Sequence, residues 1–337
     1  MLAQLPPALQ KLQLPLRLRL WDGHEFNLGP APSVTIVVKD PQMVTQFTHP
    51  SLDALGAAFV EGKLELEGSI SEVIRVCDEL SNALLGEDDD SQPVRSVHDK
   101  ETDAKAISYH YDLSNAFYQL WLDPTMNYSS AWFQTPEQDM VSAQHAKVRR
   151  ALQQVRLQPG QRLLEIGCGW GALAEMATTE FGASLVGVTL STEQLQWAQA
   201  RLARLGVPTA AEQPQAKVTH DLRLQDYRDI GVNNAADQSF DAICSIEMIE
   251  AVGREYWPTY FNTIARLLKP GGHACIQSIV IDDHLYERYI DSTDFIQQYI
   301  FPGGCLPSPM VFRAHVRAAG LEVVDELAFG QDYAHTL

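Results

Sequence analysis

The stretch "LLEIGCGWGALAE", residues 163–175, sets an acid, Glu165, two residues ahead of Gly167, with Gly169 and Gly171 following at alternate positions. An apolar run that ends this way must stop as a strand, turn tightly and enter a helix while a ligand lies against bare backbone. Two ligand classes use such a turn. A dinucleotide takes G-x-G-x-x-G/A together with an acid about twenty residues on that holds the ribose. Gly167, Gly169 and Ala172 meet the first condition loosely. The second fails, because "SLVGVTLS" ends in Thr189, Leu190 and Ser191, and the nearest acid, Glu193, falls inside the next helix.

Glu165 separates the two classes, since an acid two residues before the first glycine is the placement typical of S-adenosylmethionine methyltransferases. The predicted ligand is therefore S-adenosylmethionine. The elements around the turn must hold it at a sheet edge. "TPEQDMVSAQHAKVRRALQQV" predicts a helix opening at Thr135, Pro136 and Glu137. "RLLEIG" reads as a buried strand, "ALAEMATTEF" as a helix and "SLVGVTL" as a strand. "STEQLQWAQARLARLG" reads as a helix capped by Ser191 and closed by Gly206. "KVTHDLRLQDY", "DAICSIEM" and "HACIQSIVI" supply further strands, with a helix in "EYWPTYFNTIARLLKPGG". Strands alternating with helices at this length predict an α/β fold with a doubly wound, mostly parallel sheet.

At 337 residues the chain is long enough for two domains. Residues 1–85 read as a small α+β unit, the polar and acidic span 86–106 as a linker, and 107–337 as the ligand-binding domain. No run of eighteen apolar residues would span a membrane, and the N-terminus lacks the apolar core and cleavage site of a signal peptide. Five scattered cysteines without a CxxC fit free thiols in a reducing cytosol and argue against zinc, so no metal is expected. A net charge of −18 argues against nucleic acid. Lipid contact must then be local and largely apolar. "LQKLQLPLRLRL", with Lys11, Arg17 and Arg19, is the one candidate patch and reads equally as an ordinary strand edge.

The motifs "YHYDLSNAFYQLWLDPTMNYSSAWF", "LLEIGCGWGALAE", "VGVTLSTEQ", "LQDYRDI", "IEAVG", "YIFPGGCLPS" and "FGQDYAHTL" run in order through residues 107–337. Together they resemble the cyclopropane-fatty-acid synthases and their mycolic acid relatives, which alkylate the double bond of an acyl chain with S-adenosylmethionine. The resemblance implies a class I, Rossmann-like methyltransferase domain. The first 85 residues resemble the small domain of the phospholipid-acting members. The implied substrate is an unsaturated phospholipid at the membrane surface, met by a cytoplasmic enzyme peripheral to the inner face of the membrane, and a homodimer is compatible with it. Carried over, the resemblance puts Gly167, Gly169 and Trp170 around the amino-acid part of the cofactor, with Tyr128 and Ser129 closing over it. Thr189, Leu190 and Gln194 would hold the ribose, and Tyr227 would lie against the adenine.

Methyl transfer to an alkene leaves a carbocation, so the walls should be dry and aromatic. Trp132, Phe133, Phe295, Tyr299 and Phe301 are the candidates, each also readable as plain core. Ring closure then needs a base. The resemblance implies a bound bicarbonate, cradled by the Ser130 amide, Glu250, the residue at 277, the Ile279 amide and Tyr333. The family carries histidine at that position and this chain carries Gln277, which donates a hydrogen bond but cannot carry charge. Glu247 stands where glycine is common and adds a second carboxylate. This variant pattern is similar to the branch of fatty-acid C-methylases that make methyl-branched or furan-precursor chains. The implied product is a cyclopropane chain, with a methyl-branched or methylene chain as the alternative. A non-catalytic lipid- or cofactor-binding protein and a nicotinamide dehydrogenase are the other readings. Family members run several helical turns beyond "DYAxTL", so the chain ending at Leu337 is expected to be truncated.

Overall fold

The alternating run Leu16-Arg17-Leu18-Arg19 opens the first sheet of the computed structural model, which describes residues 13–43, 52–84, 98–232, 239–291, 293 and 295–337. Successive strand side chains face opposite ways, so β1 (Leu16–Arg19) buries its leucines and turns its arginines outward. β1 pairs antiparallel with β2 (Glu25–Asn27) and parallel with β3 (Val34–Val38). After α1 (Leu52–Val60), β4 (Leu64–Glu67) pairs antiparallel with β3, and α2 (Ile70–Leu84) follows. The core of this α+β unit gathers Leu16, Leu18, Ile36, Val38, Leu64, Val76 and Leu80. Its outward arginines are not a bare basic patch. Arg17 lies 3.2 Å from Glu25, and Arg19 lies 2.9 Å from both Glu25 and Glu67. The candidate lipid patch is thus the ion-paired outer face of an interior strand as far as Arg17 and Arg19 go, and Lys11 lies outside the described residues.

The chain divides into two compact units, residues 1–94 with 288–299, and 95–287 with 300–337. These borders differ from those read off the sequence. Within the first unit Phe295 packs on Tyr299 with centroids 5.1 Å apart, and a Cβ on Gly56 would sit 3.0 Å from the Phe295 ring. Two of the aromatic rings expected around the reacting chain are therefore engaged in the first unit's own packing.

The second unit begins inside the span expected as linker. α3 (Lys100–Tyr111) is capped by Asp99, whose carboxylate accepts from the Thr102 amide at 2.8 Å. The acidic cluster ahead of it lies outside the described residues. α4 (Met140–Gln154) also starts later than predicted. Asp139, rather than Thr135, accepts from the Ser142 amide at 3.0 Å and is the N-cap. There follow β5 (Arg162–Ile166), α5 (Ala172–Thr179), β6 (Ser184–Thr189), α6 (Thr192–Arg204), β7 (His220–Leu224), β8 (Phe240–Ile246), α7 (Trp257–Leu267), β9 (Leu268–Gln277) and α8 (Pro309–Ala318). Ser191 caps α6 as predicted.

The five strands run in the order β7-β6-β5-β8-β9, every neighbouring pair parallel. Leu163, Leu164, Ile166, Leu185 and Ile243 are buried, as expected when helices cover both faces of a parallel sheet. The winding reverses between β5 and β8, and that reversal leaves a crevice at the carboxyl ends of the strands. No helix among the described residues is long and apolar enough to cross a membrane. The cap assignment is testable by thermal unfolding. Asp139→Ala should cost about 0.5–2 kcal/mol of stability and lower the midpoint, while Thr135→Ala should leave it within error.

Candidate active site

The turn after β5 is held by the amides of Gly167 and Cys168, which both donate to the Val188 carbonyl at 3.0 and 2.9 Å. Gly169 has φ +49°, and a Cβ placed on it would meet no protein atom within 4 Å. Its bare face opens on a cavity rather than on packed side chains. Gly171, at φ +83°, serves a different need, because a Cβ there would lie 2.9 Å from the Ala198 methyl of α6. The cavity sits at the carboxyl ends of β5, β6, β7 and β8. It is lined by all ten residues predicted to hold the cofactor, namely Tyr128, Ser129, Glu165, Gly167, Gly169, Trp170, Thr189, Leu190, Gln194 and Tyr227.

The cavity fits S-adenosylmethionine on its own chemistry. Glu165 is buried and one of its oxygens has no partner, so burial holds its carboxyl well above the ordinary range until a cation arrives. The cofactor's ammonium is such a cation. Thr189 donates its hydroxyl to Gln194 Oε1 at 2.8 Å, fixing two polar groups at the end of β6 where a ribose would lie. Tyr227 lines the wall with its buried hydroxyl unpartnered. Asp226 and Asp103 are both engaged by Arg228, at 2.6 and 2.8 Å.

The segment "YHYDLSN" clamps this turn, a role its sequence did not reveal. Asn115 accepts from Trp170 Nε1 at 2.6 Å and donates to Glu193 at 2.9 Å, while Asp112 accepts from Ser191 Oγ at 2.6 Å. Tyr128 stacks on His110 at 5.7 Å and meets Trp121 edge-on at 5.0 Å. Phe301 lies 4.2 Å from His110 and 6.2 Å from Tyr128, so this one of the predicted wall aromatics joins the cluster beside the cavity. Trp132 instead lies under the Arg150 guanidinium at 5.3 Å, and Phe133 meets His335 at 5.8 Å.

Three of the five residues expected around a base, Ser130, Gln277 and Tyr333, meet on a carboxylate that the chain itself supplies, while the other two, Ile279 and Glu250, pair with each other. Glu247 follows β8 at φ +48°, a left-handed conformation that glycine adopts without strain and other residues rarely adopt. One of its oxygens accepts from the Ser130 amide at 3.0 Å and from Gln277 Nε2 at 2.7 Å. The other accepts from the Tyr333 hydroxyl at 2.9 Å. The Ile279 amide donates to Glu250 at 2.5 Å, and the second Glu250 oxygen is buried without a partner. The donors expected to cradle a bicarbonate thus hold Glu247 and Glu250 in this structure, with Gln277 as a neutral clasp on the Glu247 carboxylate.

Environment separates the two acids. Burial and the nearby Glu247 charge push Glu250 up to about 8, so it is protonated at neutral pH. Burial also raises Glu247, but the Lys147 charge and the three donors oppose the rise.

A family model described as mycolic acid cyclopropane synthetase matches residues 98–337, and one described as a domain of unknown function matches residues 9–89. The chain belongs to the mycolic acid cyclopropane synthetase family. It is 46% identical to a Pseudomonas putida protein named probable fatty acid methyltransferase, over 100% of this chain and 82% of that one. It is 33% identical to the cyclopropane-fatty-acyl-phospholipid synthase of Escherichia coli (strain K12), over 92% of this chain and 76% of that one. Among solved structures it is similar to the cyclopropane synthase MmaA2 from Mycobacterium tuberculosis (TM-score 0.61, 27% identity, covering 74% of this chain and 82% of that one). It is also similar to the mycolic acid cyclopropane synthase CmaA1 complexed with SAH and CTAB (TM-score 0.60, 30% identity, covering 69% and 80%). The second unit thus has the class I methyltransferase fold, and this member of the family is an S-adenosylmethionine-dependent methyltransferase.

Two measurements probe the site. Gly169→Val should abolish S-adenosylhomocysteine binding in calorimetry while the fold persists, because the new side chain enters the ligand's space. Unchanged affinity would show that the backbone is not the contact. Glu250→Gln addresses the charge. The folded-state value of Glu250 lies above its ordinary 4.5, so the native state keeps a proton the unfolded chain releases, and stability falls as pH rises from 4.5 to about 8. The thermal midpoint of Glu250→Gln should decline less than the parent's over that window.

Proposed function

We propose that this enzyme transfers a methyl group from S-adenosylmethionine to the double bond of an unsaturated phospholipid acyl chain, and that Glu247 is the base that completes the reaction. The carboxylate of Glu247, fixed by three donors on the cavity wall, carries this reading. S-adenosylmethionine, when bound, supplies an electrophilic methyl on a sulfonium. The chain's residues supply alignment and a dry wall, both of which an alkene needs because it is a poor nucleophile. The alkene forms a carbon–carbon bond to the methyl, the sulfur leaves with its electron pair, and a carbocation remains on the neighbouring carbon. The ionised Glu247 stabilises that charge and then takes a proton from the added methyl group. Its own proton afterwards goes to water.

Two products balance without any further reactant. If the methyl carbon closes onto the cation as it loses the proton, a cyclopropane forms. If a hydride first shifts from the methylated carbon to the cation, loss of the same proton leaves a methylene group. A saturated methyl branch needs a hydride donor in addition. We favour the methylene product, a precursor of methyl-branched chains. The base here is a side chain rather than a mobile anion, and the Pseudomonas putida relative at 46% identity is named a probable fatty acid methyltransferase. The ring is the second reading, supported by the retained positions of Ser130, Glu250, Ile279 and Tyr333 and by the Escherichia coli relative. A phospholipid substrate is supported by likeness to that relative across both units.

Mass spectrometry of lipids after incubating the full chain with S-adenosylmethionine and oleoyl phospholipid vesicles distinguishes the products. The expected result is a methylene-bearing chain as the main species; almost pure cyclopropane would defeat the favoured reading. Glu247→Gln should cut total turnover by about 10²-fold or more, the scale of a lost general base, with S-adenosylhomocysteine affinity retained.

A further inference from the structure

Lys147 on α4 is 3% exposed and lines the cofactor cavity, yet no carboxylate among the described residues pairs with it. Its ammonium donates to Ser129 Oγ at 2.5 Å and approaches Asn127 Oδ1 at 3.4 Å, both neutral oxygens. An ammonium buried without a counter-ion is costly, and burial lowers this one to about 8. Three acids attract it from nearby, Glu247, Asp123 and Glu165. Glu247 is already held by Ser130, Gln277 and Tyr333, and Asp123 by Thr125 and Asn127. The other cation on the cavity wall, Arg228, is taken up by Asp103 and Asp226. Among the described residues, Lys147 is thus the positive charge on that wall without an ion-pair partner.

We propose that Lys147 is the counter-charge for the α-carboxylate of S-adenosylmethionine, with the Ser129 hydroxyl holding the ammonium at the cavity wall. The proposal rests on the cofactor reading above. The amino-acid end of the cofactor carries one negative and two positive charges, on the carboxylate, the ammonium and the sulfonium. The wall offers the opposite set in Lys147, Glu165 and Glu247. Glu165 and Lys147 each lack a charged partner of their own, so an amino acid bridging them satisfies two buried charges at once. Lys147 is then a cofactor-binding residue and explains how a strongly acidic protein holds a carboxylate.

Calorimetry with two ligands tests this. S-adenosylhomocysteine carries the carboxylate; S-adenosyl-3-thiopropylamine keeps the nucleoside, thioether and ammonium but lacks it. The parent should prefer S-adenosylhomocysteine by about tenfold or more, the scale of one charge-assisted contact. Lys147→Gln should weaken S-adenosylhomocysteine to the level of the amine and leave the amine's affinity nearly unchanged, which also reports an intact cavity. A parent that binds both ligands equally, or a Lys147→Gln variant that keeps the preference, overturns the proposal. Should the variant lose both ligands, the parent's pH profile decides. The carboxylate raises the bound lysine above its free value, so the preference is full below about 8 and falls as pH rises above it. A preference that stays flat through that range also overturns the proposal. A parent that binds neither ligand overturns the cofactor reading itself, and this inference with it.

Discussion

One buried carboxylate organises the reacting end of the cavity. Glu247 draws donors from Ser130, Tyr333 and Gln277, which are 117, 86 and 30 residues away in the chain. An ionised carboxylate taken out of water without partners would cost several kcal/mol. A residue other than glycine at φ +48° adds roughly 1–3 kcal/mol of strain. Hydrogen bonds to a charged acceptor contribute about 1.5–3 kcal/mol each, so three of them offset the strain and much of the desolvation. The arrangement persists only because all three arrive together. The same contacts fix the Glu247 carboxylate on the wall of the cavity.

Glu250, three residues further on, shows what happens without such support. It has one amide on one oxygen and nothing on the other, and it holds its proton to about 8. Two identical side chains on one turn are thus placed in unlike surroundings, Glu247 with three donors and Glu250 with the Ile279 amide and a second oxygen left without a partner. Lys147 belongs to the same balance, because its charge is among the influences that hold Glu247 down.

The cavity exists because the sheet changes its winding direction between β5 and β8, which parts the loops at the carboxyl ends of the strands. The glycine turn fills one side of that opening without side chains. The "YHYDLSN" segment covers another, tied down through Asn115 and Asp112 to Trp170, Glu193 and Ser191. That cover is polar at its anchors and aromatic toward the cavity. This suits a chamber that binds a charged cofactor.

The amino-acid sequence by itself determined the parts that depend on local periodicity and spacing. Short apolar runs marked β5 through β9, Ser191 capped α6, and the acid-glycine turn marked the cofactor site, since each follows from a few neighbouring residues. It was less sure where competing caps stood close together, as at Thr135 and Asp139, and where a polar stretch before α3 masked a helix start. Tertiary structure alone decided which distant groups meet. Gln277 in place of histidine looked like a loss until the fold set its amide on the Glu247 carboxylate. Phe295 and Tyr299, close in sequence to Phe301, pack in a different unit. Lys147 gave no signal at all, because a lysine in an amphipathic helix reads as a solvated face. Burial, which converts a charge into a demand for a partner, is a property of the folded chain and not of any segment of it.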